Sequence, residues 1–134
     1  MKQKTKLNSI SINEYKQQLG SLKDKSINKK NFADKARYFG YIVEEEVKVC
    51  EDRKYRADWK VSIGNKHVLI EYEGINSAKS RHTNIKGYTN DCEKYNLAQI
   101  HGYMVLRYTT INFCDVFKDL ERIFLGQKII NNYL

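Results

Sequence analysis

Sixteen residues, Asp58 to Glu73 (DWKVSIGNKHVLIEYE), carry the densest concentration of candidate chemistry in the chain. One aspartate opens a predicted strand, and thirteen residues later a second strand reaches Glu71-Tyr72-Glu73. Side chains alternate along a strand, so Glu71 and Glu73 share one face and Tyr72 takes the other. A hairpin across Gly64-Asn65 would set Asp58 beside Glu71. Carboxylates that close repel and raise each other's pKa unless a cation stands between them. Their hard oxygens suit Mg²⁺, with Mn²⁺ as a substitute. Without a cation the same residues are an acidic, solvated strand face.

The three histidines differ in promise. His82 lies in the polar stretch Arg81-His82-Thr83, just after the acidic strand, and an imidazole with a pKa near 6.5 moves protons at neutral pH. A general base, a phosphate contact and a plain loop histidine are the readings open to it. His67 shares the glutamate face but sits about 13 Å from Glu71 along the strand. His101 ends a helix, where it can cap carbonyls.

These residues need a sheet and helices to hold them. Asn31 and Gly40 bracket a predicted helix over Phe32–Phe39, with Phe32, Ala36 and Phe39 facing the core. Three strands follow: Ile42–Val49, with Val47 and Val49 facing in; Tyr55–Ile63, with Ala57, Trp59, Val61 and Ile63 on one side; and Lys66–Glu73. Residues 74–88 read as a polar loop. A helix then starts at Asn90, where Asn90 and Glu93 match a capping box, with Cys92, Tyr95 and Ala98 on its buried flank and Gly102 as its stop. Tyr103–Thr109 reads as a fourth strand. Asn112 caps a last helix whose apolar positions Phe113, Val116, Phe117, Leu120, Ile123 and Phe124 keep a three–four spacing, and Gly126 closes it. A short helix is also expected over Asn13–Leu19. The order predicts an α/β fold: a mixed four-stranded sheet, made of a three-strand meander plus one parallel crossover strand, flanked by helices.

The chain of 134 residues is expected to form one domain over 31–126, with a basic arm at 1–30 and a tail at 127–134. Its 24 Lys and Arg against 16 Asp and Glu give a formal net charge of +8. Residues 1–37 hold ten basic and three acidic residues, so most of the surplus lies there. An anionic partner is expected, nucleic acid ahead of a membrane surface. The three cysteines lack zinc or disulfide spacing, and reduced thiols in a cytoplasm are the simplest account. No apolar run approaches the ~20 residues of a membrane span, and no signal peptide is visible.

Asp58, then Glu71-x-Glu73 on a central hairpin, resembles the PD-(D/E)XK nuclease superfamily. The series Glu73-Gly74, Arg81-His82-Thr83, Lys86-Gly87-Tyr88, Asp91-Cys92-Glu93-Lys94-Tyr95-Asn96, Gly102-Tyr103 and Val105-Leu106-Arg107-Tyr108-Thr109 resembles a small phage-type branch of it. The resemblance spans roughly residues 46–109. It implies a restriction-endonuclease-like core and Mg²⁺-dependent endonuclease action on DNA, as a nickase, a double-strand cutter or a resolvase of branched DNA. It further implies Asp58, Glu71 and the backbone carbonyl of Tyr72 as metal ligands. Glu73 would join them if a second ion binds. A phage or mobile-element protein would work in the cytoplasm of a bacterial host.

There are two departures. Ala57 replaces the proline before the aspartate, and Glu73 replaces the usual lysine two residues after the glutamate. In some members a lysine from the neighbouring helix reaches the same point, which makes Lys94 the candidate. Otherwise Glu73 or His82 takes the role. Lys79, Arg81 and Lys86 are expected to hold the DNA backbone, with Tyr88 as the best exposed stacking residue. Glu44, Glu45 and Glu46 compete for a further acidic position. Cutting both strands is easiest for a homodimer, because one site cuts one strand. No nucleotide cofactor is implied. The rivals are a DNA-binding protein that keeps the fold without the reaction, an RNA-directed nuclease, and an interaction module with an acidic face.

Overall fold

The computed structural model describes residues 22–74 and 84–133, the last helix beyond residue 124 by its backbone alone. The chain divides into two compact units, Ile27–Phe113 and a second made of Met1–Ser26 with Cys114–Leu134. The expected helix at Asn13–Leu19 lies outside the described residues.

The larger unit is an α/β arrangement. Helix α1 (Phe32–Tyr38) leads into strands β1 (Ile42–Lys48), β2 (Arg56–Ile63) and β3 (Lys66–Glu73). Helix α2 (Ile85–Ile100) and strand β4 (Met104–Thr109) follow. The sheet is open and mixed, in the order β1-β2-β3-β4. β1, β2 and β3 form the antiparallel meander, and β4 joins β3 in parallel. Parallel neighbours need a crossover long enough to return the chain, and α2 supplies it. The β2–β3 connection is the two-residue turn Gly64-Asn65, where Gly64 has φ +56° and so occupies the region that only glycine enters freely.

The two faces of the sheet differ. On one, the rings of Phe32, Trp59, Tyr72, Tyr108 and Phe113 come together, with Phe32 and Trp59 centroids 4.6 Å apart and Tyr72 edge-on to Phe113 at 4.9 Å. On the other, Val49, Ala57, Leu69 and Ala98 form a small apolar cluster, joined by Tyr55, Leu97, Tyr103 and Val105. α2 rests on this second face through Leu97 and Ala98.

Several expectations need correction. Ala57 and Trp59 do not share a side: Ala57 joins the cluster with Leu69 and Ala98, Trp59 the aromatic rings, and strict alternation is lost where β2 stops pairing with β3. The β2–β3 ladder ends at Trp59 opposite Ile70, and the Asp58 side chain, not a strand backbone, accepts the Tyr72 N–H. Across β1, Glu46 falls opposite Asp58 and takes a left-handed φ of 52°. Two successive strands thus lose their regular alternation at the aspartate. Phe39 is exposed, since it follows α1 as its C-cap, and Phe32, Ala33 and Ala36 supply the buried face instead. In β1, Val43 is buried and Val47 only in part, and Val49, just past the strand, is buried.

α2 begins at Ile85, not Asn90. Asn84 is its N-cap and accepts the Lys86 N–H at 3.0 Å. Asn90 and Glu93 are therefore interior helix residues that happen to match a capping pattern, and Cys92 is exposed. A 3₁₀ turn at Phe113–Asp115 precedes helix α3 (Val116–Tyr133) of the smaller unit. Val116, Phe117, Leu120 and Phe124 are buried as their spacing predicts, whereas Ile123 is half-buried. α3 runs through Gly126 to Tyr133, so residues 127–133 are helical and not a tail. A mid-helix glycine costs about 1 kcal/mol against alanine, too little to end a helix by itself. No helix among the described residues is long and apolar enough to cross a membrane.

Candidate metal and phosphate site

The interruption at Asp58 makes a site. Where the ladder opens, Asp58 Oδ2 accepts the Tyr72 backbone N–H at 2.8 Å, which fixes the carboxylate against β3. Its other oxygen, Oδ1, lies 3.4 Å from Lys29 Nζ. Glu71, the residue before Tyr72, is buried on the face covered by α2. Lys94, one turn before Ala98 on α2, reaches across and pairs with Glu71 Oε1. The Lys94 side chain is largely buried, so it is not a solvated helix residue. Ala98, one turn further along α2, is buried against Leu69 and Ala57 on the same face.

Burial pushes the Glu71 carboxyl up to about 7, with Lys94 pulling it down and the Asp58 carboxylate raising it further. Glu71 Oε1 is enclosed and accepts no hydrogen bond of good geometry among the described residues, its neighbour being the Lys94 charge. An enclosed carboxylate beside a second carboxylate is a donor set that fits a hard divalent cation. Two carboxylates are the extent of it: among the described residues no three Asp, Glu, His or Cys side chains stand together as a metal-ligating group.

Glu73 shares Glu71's face, as the alternation requires, but has a different set of partners. Its Oε1 accepts Arg107 Nε at 3.0 Å, a second bond from Arg107 Nη2, and Tyr95 Oη at 3.1 Å. The Arg107 guanidinium also lies over the Tyr95 ring, 4.0 Å from its centroid. Burial opposes the charge on Arg107, but the Glu73 bond raises its pKa overall. Burial likewise raises that of the Tyr95 hydroxyl, so it remains a donor. Glu73, Arg107 and Tyr95 thereby tie β3, β4 and α2 together one step along the strand from Glu71.

The remaining candidates disperse. Tyr72 gives its ring to the aromatic face. Lys86 and Tyr88 lie in the first turn of α2 and are exposed. Lys79, Arg81 and His82 lie outside the described residues. His67 bonds Ser62 through Nδ1 at 2.6 Å, well away along the hairpin, and His101 is the C-cap of α2. Of the three consecutive glutamates, Glu44 pairs with Lys60, Glu45 with Arg37, and Glu46 stands across from Asp58. Two participants went unread in the sequence. Lys29 lies in the basic arm expected at 1–30, with no periodic signal to mark it. Arg107 carries one weak signal, as the one cation in the predicted strand Tyr103–Thr109.

No protein-family model, curated protein or solved structure matches the chain.

Proposed function

We propose that the protein is a metal-dependent endonuclease acting on DNA, built on a restriction-endonuclease-like core. The observation that carries this reading is the meeting of Asp58 and Glu71 from adjoining strands with Lys94 from the next helix. Phosphodiester hydrolysis needs an anionic phosphate neutralised, a water made nucleophilic and a cation near the developing charge. Asp58 Oδ1 and the Glu71 carboxylate would hold Mg²⁺ or Mn²⁺, which when bound would lower the pKa of water and polarise the phosphate. The Tyr72 N–H keeps Asp58 in place, and the Glu73–Arg107–Tyr95 group keeps α2, hence Lys94, against β3. Lys94 stands where a lysine can orient the water or steady the charged phosphorane, the task left open by Glu73. Glu71 must be ionised to bind a cation, so metal uptake weakens below about pH 7 and releases a proton.

DNA is favoured as substrate by the formal charge of +8, which favours a polyanion in a salt-dependent manner. A homodimer would provide two such sites, one for each strand.

One observation favours a second reading. Each site carboxylate already has a lysine partner, Lys29 for Asp58 and Lys94 for Glu71, which is how a nuclease fold retained only for DNA binding would neutralise its relic site. Supercoiled and branched DNA offered with Mg²⁺ or Mn²⁺ separates the two. The enzyme nicks or linearises one of them in at least one metal, and loses this with Asp58→Asn. Retention of DNA without cutting in either metal would establish the binding protein instead.

A further inference from the structure

The turn that carries Lys29 is built to a degree that a linker would not need. Asn28 Oδ1 accepts the N–H groups of Lys30 at 2.9 Å and Asn31 at 3.0 Å, and Asn31 Oδ1 returns to the Asn28 N–H at 2.8 Å. The Phe32 N–H closes the turn on Asn28 O at 3.1 Å. These bonds fix the backbone on both sides of Lys29. Ile27 and Phe32 are buried on either side, and the Phe32 ring lies against Trp59, the residue after Asp58. The turn and the aspartate are thus anchored to one another through their neighbours.

Lys29 is aimed at one particular atom. The Tyr72 N–H holds Asp58 Oδ2, leaving Oδ1 as the oxygen able to accept a cation, and Lys29 Nζ lies 3.4 Å from that oxygen. The two side chains differ in surroundings: Lys29 is 55% exposed, Asp58 only 15%. The lysine can leave into water, whereas the aspartate cannot follow it.

We infer that Lys29 belongs to the site as a competitor: its ammonium occupies the cation-facing oxygen of Asp58, and a divalent ion binds by displacing it. The inference rests on the metal-dependent reading and deepens it, since it makes the affinity for metal depend on a residue that is not a ligand. Lys94 holds Glu71 in the same way but from a largely buried position, so Lys29 is the one that yields.

The test is Mn²⁺ binding by isothermal titration calorimetry on the full chain without DNA. Lys29→Gln should bind about two- to fivefold more tightly than the parent, the range expected for releasing a half-exposed ion pair. Lys29→Arg should stay within about twofold of the parent. Lys30→Gln makes the same change in net charge next door and should leave affinity unchanged. Equal affinity for parent and Lys29→Gln, or weaker binding by the variant, overturns the inference alone. An equal gain in Lys30→Gln also overturns it, because overall charge would then be the cause. Absence of Mn²⁺ binding by parent and variants alike removes the metal-dependent reading and this inference with it.

Discussion

The two faces of the sheet solve opposite problems with residues that alternate along the same strand. On one, Tyr72 turns to Phe113, which stacks on Trp59 at 5.8 Å with a 12° angle between planes, and Phe32 closes the group. On the other, Glu71 and Glu73, either side of Tyr72, meet Lys94, Arg107 and Tyr95. Aromatic burial is favourable for any ring of suitable shape and needs no partner of opposite charge. Burying Glu71 is unfavourable in itself, as its raised pKa records, and is sustained only by the neighbouring cation. The aromatic face supplies stability, which holds the ionic face in an arrangement that it would not adopt by itself.

Removing one member from each face separates their roles most directly. Asp58→Asn keeps an oxygen for the Tyr72 N–H and should leave the fold near parental stability, yet reduce metal-dependent cleavage by about a hundredfold or more. Phe32→Ala should do the reverse to the structure, lowering urea-denaturation stability by about 3–5 kcal/mol because its ring is fully enclosed. Parental cleavage by Asp58→Asn would sink the ligand assignment. A loss below about 1 kcal/mol in Phe32→Ala would sink the division of labour.

The ionic face is also sensitive to acidity. The Glu71 carboxyl sits near 7 in the folded protein against an ordinary 4.5, chiefly through burial. Between those values the folded chain holds a proton that the unfolded chain releases. Stability of the metal-free protein therefore falls as pH rises from about 4.5 to 7, and the deficit is complete above 7. Glu71→Gln should flatten this slope in urea midpoints measured across that window. A variant with the parent's slope would show that Glu71 is not the group responsible.

Smaller effects separate the ionic contacts from one another. Arg107 is partly exposed, so Arg107→Gln should cost about 1 kcal/mol, and a double-mutant cycle with Glu73→Gln should return a coupling of about 0.5–1 kcal/mol. Lys60→Ala, which frees the exposed Glu44 at the sheet edge, should cost under about 0.5 kcal/mol. A coupling at Arg107 no larger than the Lys60 effect would mean that the Glu73 group does not anchor α2.

Much of the architecture was legible because it is local. The alternation in Lys66–Glu73 gave β3 with the same bounds, and the order of elements gave a meander plus a parallel strand. The start of α2 was misplaced because Asn90 and Glu93 imitate a cap, while the helix is too polar for its periodicity to show where it begins. The overrun past Gly126 was missed because one glycine's cost is small beside the rest of an eighteen-residue helix. Ala57 and Trp59 were set on one side because strict alternation was assumed across Asp58, where the side chain replaces a ladder bond.

By itself, the sequence determined the acidic residues and the face that Glu71 and Glu73 share, since both follow from the period of two along one short strand. Tertiary structure alone decided who partners whom. Lys29 and Asp58 are 29 residues apart, and Glu73 and Arg107 are 34, so no local period relates them. Their meetings depend on where an asparagine-locked turn and a parallel strand come to rest. Those positions are set by burial over the whole unit, and charges brought together by burial acquire partners that no short stretch of chain specifies.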